Sequence, residues 1–342
     1  MTEDSWENTR NVKKVTARVN SLRQSYPQNW ESYNSAKTKE KIISIKLLLE
    51  LLDNFDIKRN SNNSFTLKEQ ILSMFVYCYS RFSSRRAISD LEMLRQRGML
   101  SRTPHFNSVL NMFRKPSMTN TLSELVEITS LPLRMFEEKF AIDSTGFSTS
   151  IFERWFDVRT KEEIFKRTWK KVHLICGART NTITSIAVSD GTEADSPYLV
   201  PLVQKTAKYF DMKELSADKA YLSRANLRAV ASKGAIPFIP FKSNSIENPK
   251  GTRLWNQMWL FFYEHQEEFM KHYHSRSNVE STFSMVKRTY GNHLRMKSER
   301  SQINEILMKC LCHNLAVLVQ ESFELGLEID FKACADDYFA QG

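Results

Sequence analysis

The sequence predicts a mixed α/β domain preceded by an all-helical region. Three observations carry this. Residues 1 to about 138 read as helices with capping signals. At about residue 139 short apolar runs with strand-like alternation begin, and beyond them helix and strand patterns interleave. A chain of 342 residues with 41% hydrophobic content also has room for two or three domains and a sizeable core. No internal repeat or low-complexity segment interrupts this plan. The expected division is 1–138 helical, 139–322 α/β, and 323–342 a C-terminal tail.

In the first part, "SAKTKEKIISIKLLLELLDNF" is amphipathic, and "TLKEQILSMFVYCYSRF" opens with a capping box from Thr66 to Glu69. "SSRRAISDLEMLRQRG" is closed by Gly98. "TPHFNSVLNMFRK" is expected to start at Thr103 as cap, with Pro104 at the first helical position. Short helices joined through glycine resemble a helix-turn-helix arrangement, although the connection is longer than the strict turn. From Arg81 to Lys115 eight basic residues face Asp90 and Glu92, a local +6. The plainer reading of that run is a helical bundle with a basic rim.

In the second part, "KFAIDST" is a short strand carrying a carboxylate. "KKVHLICGARTNTITSIAVS" is a hairpin turning at "ARTNT". "SPYLVPLVQKTAKYF" is a helix and "KELSADKAY" a strand with a second carboxylate. "SRANLRAVASKG" is a helix stopped by glycine, and "AIPFIPF" another strand. Residues 242–253 form the clearest exposed loop, and 252–269 read as one helix. There Trp255 and Trp259 would suit a wedge against a flipped base, packing being the commoner use of such a pair.

Composition narrows the partner. Forty-nine basic against 39 acidic residues give +10 and a pI near 9.3, which suits a polyanion, nucleic acid before an anionic membrane. No apolar run approaches the roughly 18 residues of a spanning helix, and "MTEDSWENTR" does not read as a signal peptide. Five scattered cysteines fit a reducing compartment. "CLCH" at 310–313 lacks a second ligand pair and lies in an apolar helical stretch, so it reads as core rather than zinc site. Asn62-Asn63-Ser64 matches a glycosylation acceptor and carries no weight without a secretion signal.

"YHSRSNVESTFSMVK" (273–287) mixes ionisable residues into a helical pattern. At about 100° per residue, Tyr273, Arg276, Glu280 and Lys287 fall within one arc of roughly 60°. Val279, Phe283, Val286 and Tyr290 form a second stripe suited to a core. Arg276 and Glu280 would then be an ordinary i,i+4 pair on a solvated face or part of a site. Asp143 and Asp218 end separate strands, where aspartates usually form turns. Together with Glu280 they offer the oxygen ligands that a hard divalent cation takes. Two such ions could drive an in-line displacement at phosphorus, with Arg276 and Lys287 gripping neighbouring phosphates.

The spacing Tyr-x2-Arg-x3-Glu-x6-Lys resembles the YREK signature of insertion-sequence DDE transposases. "AIDSTGF" and "LSADKAYLS" resemble that group's first- and second-aspartate strands, "KRTWKKVHLICGARTNTITSIAVSDG" its hairpin, and "CHNLAVL" the helix after the signature. The resemblance covers roughly 139–320. It implies an RNase H-like core, a mixed sheet flanked by helices, with Asp143, Asp218 and Glu280 as a triad binding a pair of Mg²⁺ ions that Mn²⁺ can replace. It also implies that Tyr273, Arg276 and Lys287 contact element-end DNA. Lys171 and His173, on the hairpin, are expected on the DNA side, and Arg102 beside the basic helices is expected to reach DNA. The implied activity is cleavage of double-stranded DNA at the element's ends and transfer of the 3′ ends to target DNA. It would take place in a homodimeric synaptic complex, in the cytoplasm of a prokaryotic host, with no membrane partner. An inactive transposase-derived regulator and a nuclease without strand transfer are the alternatives. The 62 residues between Asp218 and Glu280 leave no space for the long β-rich insertion of some relatives.

Overall fold

The computed structural model describes residues 29–54, 65–149, 169–247 and 253–340. The opening decapeptide, the Asn62–Ser64 acceptor pattern and residues 248–252 of the exposed loop lie outside the described residues. Five helices come first: α1 (Trp30–Asn54), α2 (Leu67–Ser80), α3 (Ser84–Gln96), α4 (Phe106–Met112) and α5 (Pro116–Ile128). The capping box at α2 is formed, with Thr66 Oγ1 accepting from the Glu69 amide and Glu69 Oε2 from the Thr66 amide. α4 departs from expectation. It begins at Phe106 with His105 as its cap, because Thr103 turns its hydroxyl to Glu92 of α3 instead of capping.

A five-stranded sheet follows: β1 (Lys139–Ser148), β2 (Trp169–Gly177), β3 (Ile183–Asp190), β4 (Glu214–Ala217) and β5 (Ile236–Phe238). Its order is β3-β2-β1-β4-β5. β1, β2 and β3 are antiparallel neighbours, while β4 and β5 join β1 in parallel. The β2–β3 pair is a local hairpin, with Asn181 at φ 62 in its turn. The parallel pairs need helical crossovers, supplied by α6 (Ser196–Tyr209) and α7 (Arg224–Ser232). This order and these directions make the sheet RNase H-like, as the sequence resemblance implied.

The remaining helices are α8 (Arg253–Glu264), α9 (Gln266–Tyr273), α10 (Ser277–Tyr290), α11 (Glu299–Glu324) and α12 (Phe331–Ala340). The single helix expected over 252–269 is, from residue 253 on, two helices separated at His265. The C-terminal tail carries α12, where Phe331 is fully buried and Tyr338 stacks on Tyr209 of α6 at 5.2 Å. Among the described residues no helix is long and apolar enough to cross a membrane.

α11 is the centre of the molecule. Nineteen of its 26 residues are buried, which is the signature of a helix surrounded on all sides. It packs against α1, α2 and α5 on one flank and against α10, β2 and β3 on the other. Asn314 ties these flanks together. Its side-chain amide donates to the Val126 and Ile183 carbonyls at 2.9 and 2.8 Å, and its oxygen accepts from the Ile183 amide at 2.8 Å. Cys310, Cys312 and His313 are part of this core, in line with the core reading of "CLCH".

Two buried charges on α11 shape the connection that follows α10. Glu305 Oε2 accepts from the Arg295 and Met296 amides at 2.9 and 3.0 Å. Lys309 Nζ donates to the Gly291 and His293 carbonyls at 3.1 and 2.8 Å and lies 3.2 Å from Glu305 Oε1. Removing one member of a buried ion pair strands the other without its counter-charge and costs about 3–5 kcal/mol. Lys309→Met is therefore expected to lower the urea midpoint strongly. Combining it with Glu305→Gln should recover part of the loss; equal midpoints for Lys309→Met and the unaltered protein would contradict this role.

The turn before β3 holds a second buried acid. Glu137 accepts from the Arg179 amide, the Thr180 amide and the Thr180 hydroxyl at 3.1, 2.6 and 2.7 Å, and burial pushes its carboxyl up to about 7. His313 donates to the Asn181 carbonyl at 2.9 Å, and burial pushes its imidazole down to about 4. The two oppose each other in acid. Glu137 contributes stability that is full below its ordinary 4.5 and lost as pH rises through about 7. His313 contributes stability that is present above 6.5 and lost as pH falls through about 4. Glu137→Gln removes the opposing contribution, so unfolding free energy should fall more steeply between pH 7 and pH 4.5 than in the unaltered protein. Parallel stability–pH curves for the two proteins would refute this.

Candidate active site

Side chains of a strand alternate between faces, and β1 uses this to sort polar groups. Asp143, Thr145 and Phe147 face α10; Ser144 and Gly146 face the other way, paired with His173 and Lys171 of β2. β1 and β4 run parallel with Ile142 opposite Ala217, so Asp143 and Asp218 follow neighbouring positions of adjacent strands. Asp143 is partly buried, and its Oδ1 accepts from the Ser144 amide at 2.8 Å. Asp218 caps a short 3₁₀ turn, its Oδ1 accepting from the Ala220 amide at 2.9 Å.

The segment expected as one charged helix contains a break. α9 ends at Tyr273, residues His274–Arg276 form a 3₁₀ turn, and α10 begins at Ser277. The cause lies in β4. Its Ser216 hydroxyl bonds the His272 carbonyl at 3.2 Å and meets Ser275 Oγ at 2.8 Å. Buried Glu214 of β4 lies 3.0 Å from His272 Nδ1. The backbone stays in right-handed helical geometry through Tyr273, His274 and Arg276, so the four signature side chains still gather on one side. Val279, Phe283, Val286 and Tyr290 are buried, as the second stripe required.

Arg276 is the hinge of the site. Its Nη1 donates to Asp143 Oδ2 at 2.6 Å and its Nη2 to Glu280 Oε1 at 2.5 Å, joining β1 to α10 across one guanidinium. The Tyr273 ring lies 5.9 Å from that guanidinium. Burial raises the Asp143 carboxyl above the usual carboxylate range. The Ser144 amide and Arg276 oppose this, whereas the neighbouring charges of Asp218 and Asp195 add to it. Further along α10, Lys287 Nζ donates to Thr145 Oγ1 at 2.6 Å and lies 5.3 Å from the Phe147 ring. Burial lowers its pKa.

The structure thus links Asp143, Glu280, Arg276 and Tyr273 directly and sets Asp218 just past the end of the neighbouring strand. The donor set is hard carboxylate oxygen, the chemistry magnesium takes. Arg276 already supplies one positive charge between two of the three acids. Among the described residues no three His, Cys, Asp or Glu side chains are gathered tightly enough to hold an ion.

Other expected residues lie elsewhere. His173 is buried, stacked on Tyr198 of α6 at 3.9 Å and bonded to Ser189 Oγ at 2.8 Å. It is covered by α6, which corrects the expectation that it faces DNA. Burial pushes its imidazole down to about 4. Lys171 pairs with Asp195 at 2.7 Å on the same face. Asp195, at the start of α6, escapes sequence reasoning, because an acid ahead of Ser196-Pro197 reads only as a helix start. Trp255 and Trp259 are packed rather than wedged, their indole N–H groups bonding the Ile246 and Ser245 carbonyls at 3.2 and 3.4 Å. Arg102 is exposed, with its guanidinium 4.6 Å from the Phe65 ring.

Asp143 lies in the middle of β1, not at its end as expected, because the strand continues to Ser148 against β2, and Asp218 directly follows β4; an RNase H-like sheet with carboxylates placed in this way defines a class of nucleic-acid-processing folds. Residues 134–315, more than half of the chain, match the family described as "Transposase DDE domain", and the chain belongs to the DDE transposase family. A comparison with curated proteins gives no match. Among solved structures it is similar to a chain of the piggyBac transposase synaptic complex with hairpin DNA, determined by cryo-EM. Identity is 11%, coverage is 89% of this chain and 81% of that one, and the TM-score is 0.46.

Proposed function

We propose that the protein binds the ends of a mobile DNA element, cuts phosphodiester bonds there and joins the freed 3′ ends to target DNA. The observation that carries this reading is the single guanidinium of Arg276 joining Asp143 of β1 to Glu280 of α10, beside Asp218, in a chain of the DDE transposase family. Asp143, Asp218 and Glu280 would hold a pair of Mg²⁺ ions, replaceable by Mn²⁺, whose Lewis acidity activates the attacking oxygen and stabilises the leaving one. Arg276 and Lys287 would bind phosphates flanking the scissile one, and Tyr273, beside Arg276, would contact the element-end DNA. Asp143 and Glu280 lose their internal counter-charge when Arg276 turns to DNA, so phosphate binding and readiness for cations would rise together. The exposed face of α4 with Arg102 would read element-end DNA, and synapsis of two ends would require at least two copies.

Glu280→Gln keeps size and most hydrogen bonding but removes charge. Cleavage of a DNA carrying the element's ends in Mg²⁺ should be lost while affinity for that DNA is kept. The unaltered protein should give both cut ends and joined products. Cut ends alone would favour a nuclease without transfer, and binding without cutting an inactive regulator. Nearly silent substitutions at Arg276, Glu280 and Lys287 alike would reduce the segment to a solvated face, where such pairs are worth only a few tenths of a kcal/mol.

Arg276→Ala separates the two tasks of that side chain. In the DNA-free protein it should tighten Mn²⁺ binding, read by the loss of the free-ion signal in electron paramagnetic resonance. It should also weaken DNA binding. Unchanged Mn²⁺ affinity would show that the guanidinium does not compete with cations for these carboxylates.

A further inference from the structure

The turn between α2 and α3 is clamped onto the connection that follows α10. Arg81 ends α2 in left-handed backbone geometry, φ 56, unusual for a side chain other than glycine. Its Nη1 donates to the Arg288 carbonyl at 3.3 Å, and its guanidinium lies over Gly291, where an added Cβ would stand 3.7 Å from Nη2. From the other side, Arg295 donates to the Phe82 and Tyr77 carbonyls at 2.6 and 3.0 Å. The last turn of α10, with exposed Arg288, is thereby fixed beside Arg81 and the first turn of α3, which carries Arg85 and Arg86.

What these arginines lack is more informative than what they have. The two acids of this segment are engaged elsewhere: Asp90 by Lys41 and Ser80, Glu92 by Arg95 and Thr103. Among the described residues Arg81, Arg85, Arg86 and Arg288 form no ion pair with a carboxylate. Three of the four are nevertheless held in place by neutral groups. Arg81 rests on a carbonyl, Arg85 lies 4.5 Å from the Phe106 ring and Arg86 lies 4.6 Å from the Phe82 ring. A guanidinium held by a ring or a carbonyl keeps most of its five donors and all of its charge for another anion. A purely structural role, helix capping plus ring stacking, accounts for each interaction singly. It does not account for four exposed arginines gathered at one junction with no acid among them.

We infer that Arg81, Arg85, Arg86 and Arg288 form a phosphate-binding rail for duplex DNA, at the end of α10 remote from Asp143 and Glu280. This rests on the transposase reading and adds a place for the DNA flank. Arg288 lies eight residues beyond Glu280, about 12 Å along the helix axis at 1.5 Å per residue. That is the axial length of three to four base pairs at about 3.4 Å each. The rail would therefore hold backbone a few base pairs from the carboxylates, bridging the catalytic sheet to the helical region.

The test uses the full chain and a random-sequence duplex of about 30 base pairs, with affinity measured across a salt series. Arg85→Gln/Arg86→Gln/Arg288→Gln leaves the Arg81 clamp intact, and thermal unfolding checks that it does. The slope of log affinity against log salt should fall by about 0.9 for each phosphate no longer neutralised, between two and three units for the triple variant. Arg228→Gln, an exposed arginine on α7, should leave the slope unchanged. A triple variant that keeps the original slope and affinity overturns the rail while leaving the transposase reading standing. An equal loss per charge at Arg228 also overturns it, because any surface charge would then serve. Absence of salt-dependent binding by the unaltered protein would overturn both readings together.

Discussion

The parallel pairing of β1 with β4 is the constraint on which the rest depends. With Ile142 opposite Ala217, the next residue on each strand is an aspartate, and two like charges are brought together wherever the sheet forms. Such crowding is unfavourable by itself, and it adds to the burial that raises the Asp143 carboxyl. The neighbouring elements respond to it. The 3₁₀ turn that interrupts α9 and α10 is fastened to β4 by Ser216 and Glu214, and that fastening is what delivers Arg276 to Asp143. The helix break is therefore the means by which a cation reaches the acid pair.

A second constraint comes from α11. A helix buried on all sides must have a partner on each, and here the partners come from both halves of the chain. Its polar residues at buried positions serve as fasteners: Asn314 joins α5 to β3, Asn304 bonds the Phe113 carbonyl at 2.9 Å, and Glu305 with Lys309 sets the path after α10. Buried polar groups of this kind carry little net stability when satisfied and a large penalty when not. They specify how the flanks are registered against one another rather than how tightly they adhere.

Much of this was legible in the sequence, for physical reasons that differ between elements. The hairpin, the capping box and the buried stripe of α10 follow from spacing rules that act over a few residues, and they appear where the pattern placed them. The neighbourhood of Arg276 and Glu280 was legible because a helix face repeats with a fixed period, whereas Asp143, expected at a strand end, lies inside β1 because its pairing with β2 runs on to Ser148. The errors arose where a distant partner outweighed local preference. Thr103 prefers Glu92 to the cap position; the helix is broken at 274–276 because Ser216 and Glu214 take hold of α9; His173 is covered by α6, whose Tyr198 comes from 25 residues further along. Asp195 had no local signal beyond a helix start, since its meaning lies in the Lys171 it meets across the fold.

The way α11 is shared has an engineering consequence. Grafting the helical region of another transposase at residue 138 looks like the natural route to a new DNA target. Here such a graft would strip α11 of the α1, α2 and α5 surfaces that cover one of its flanks and leave Asn304 and Asn314 facing groups shaped for other partners. Retargeting this molecule would have to proceed by exchanging exposed side chains in place, on a framework kept whole.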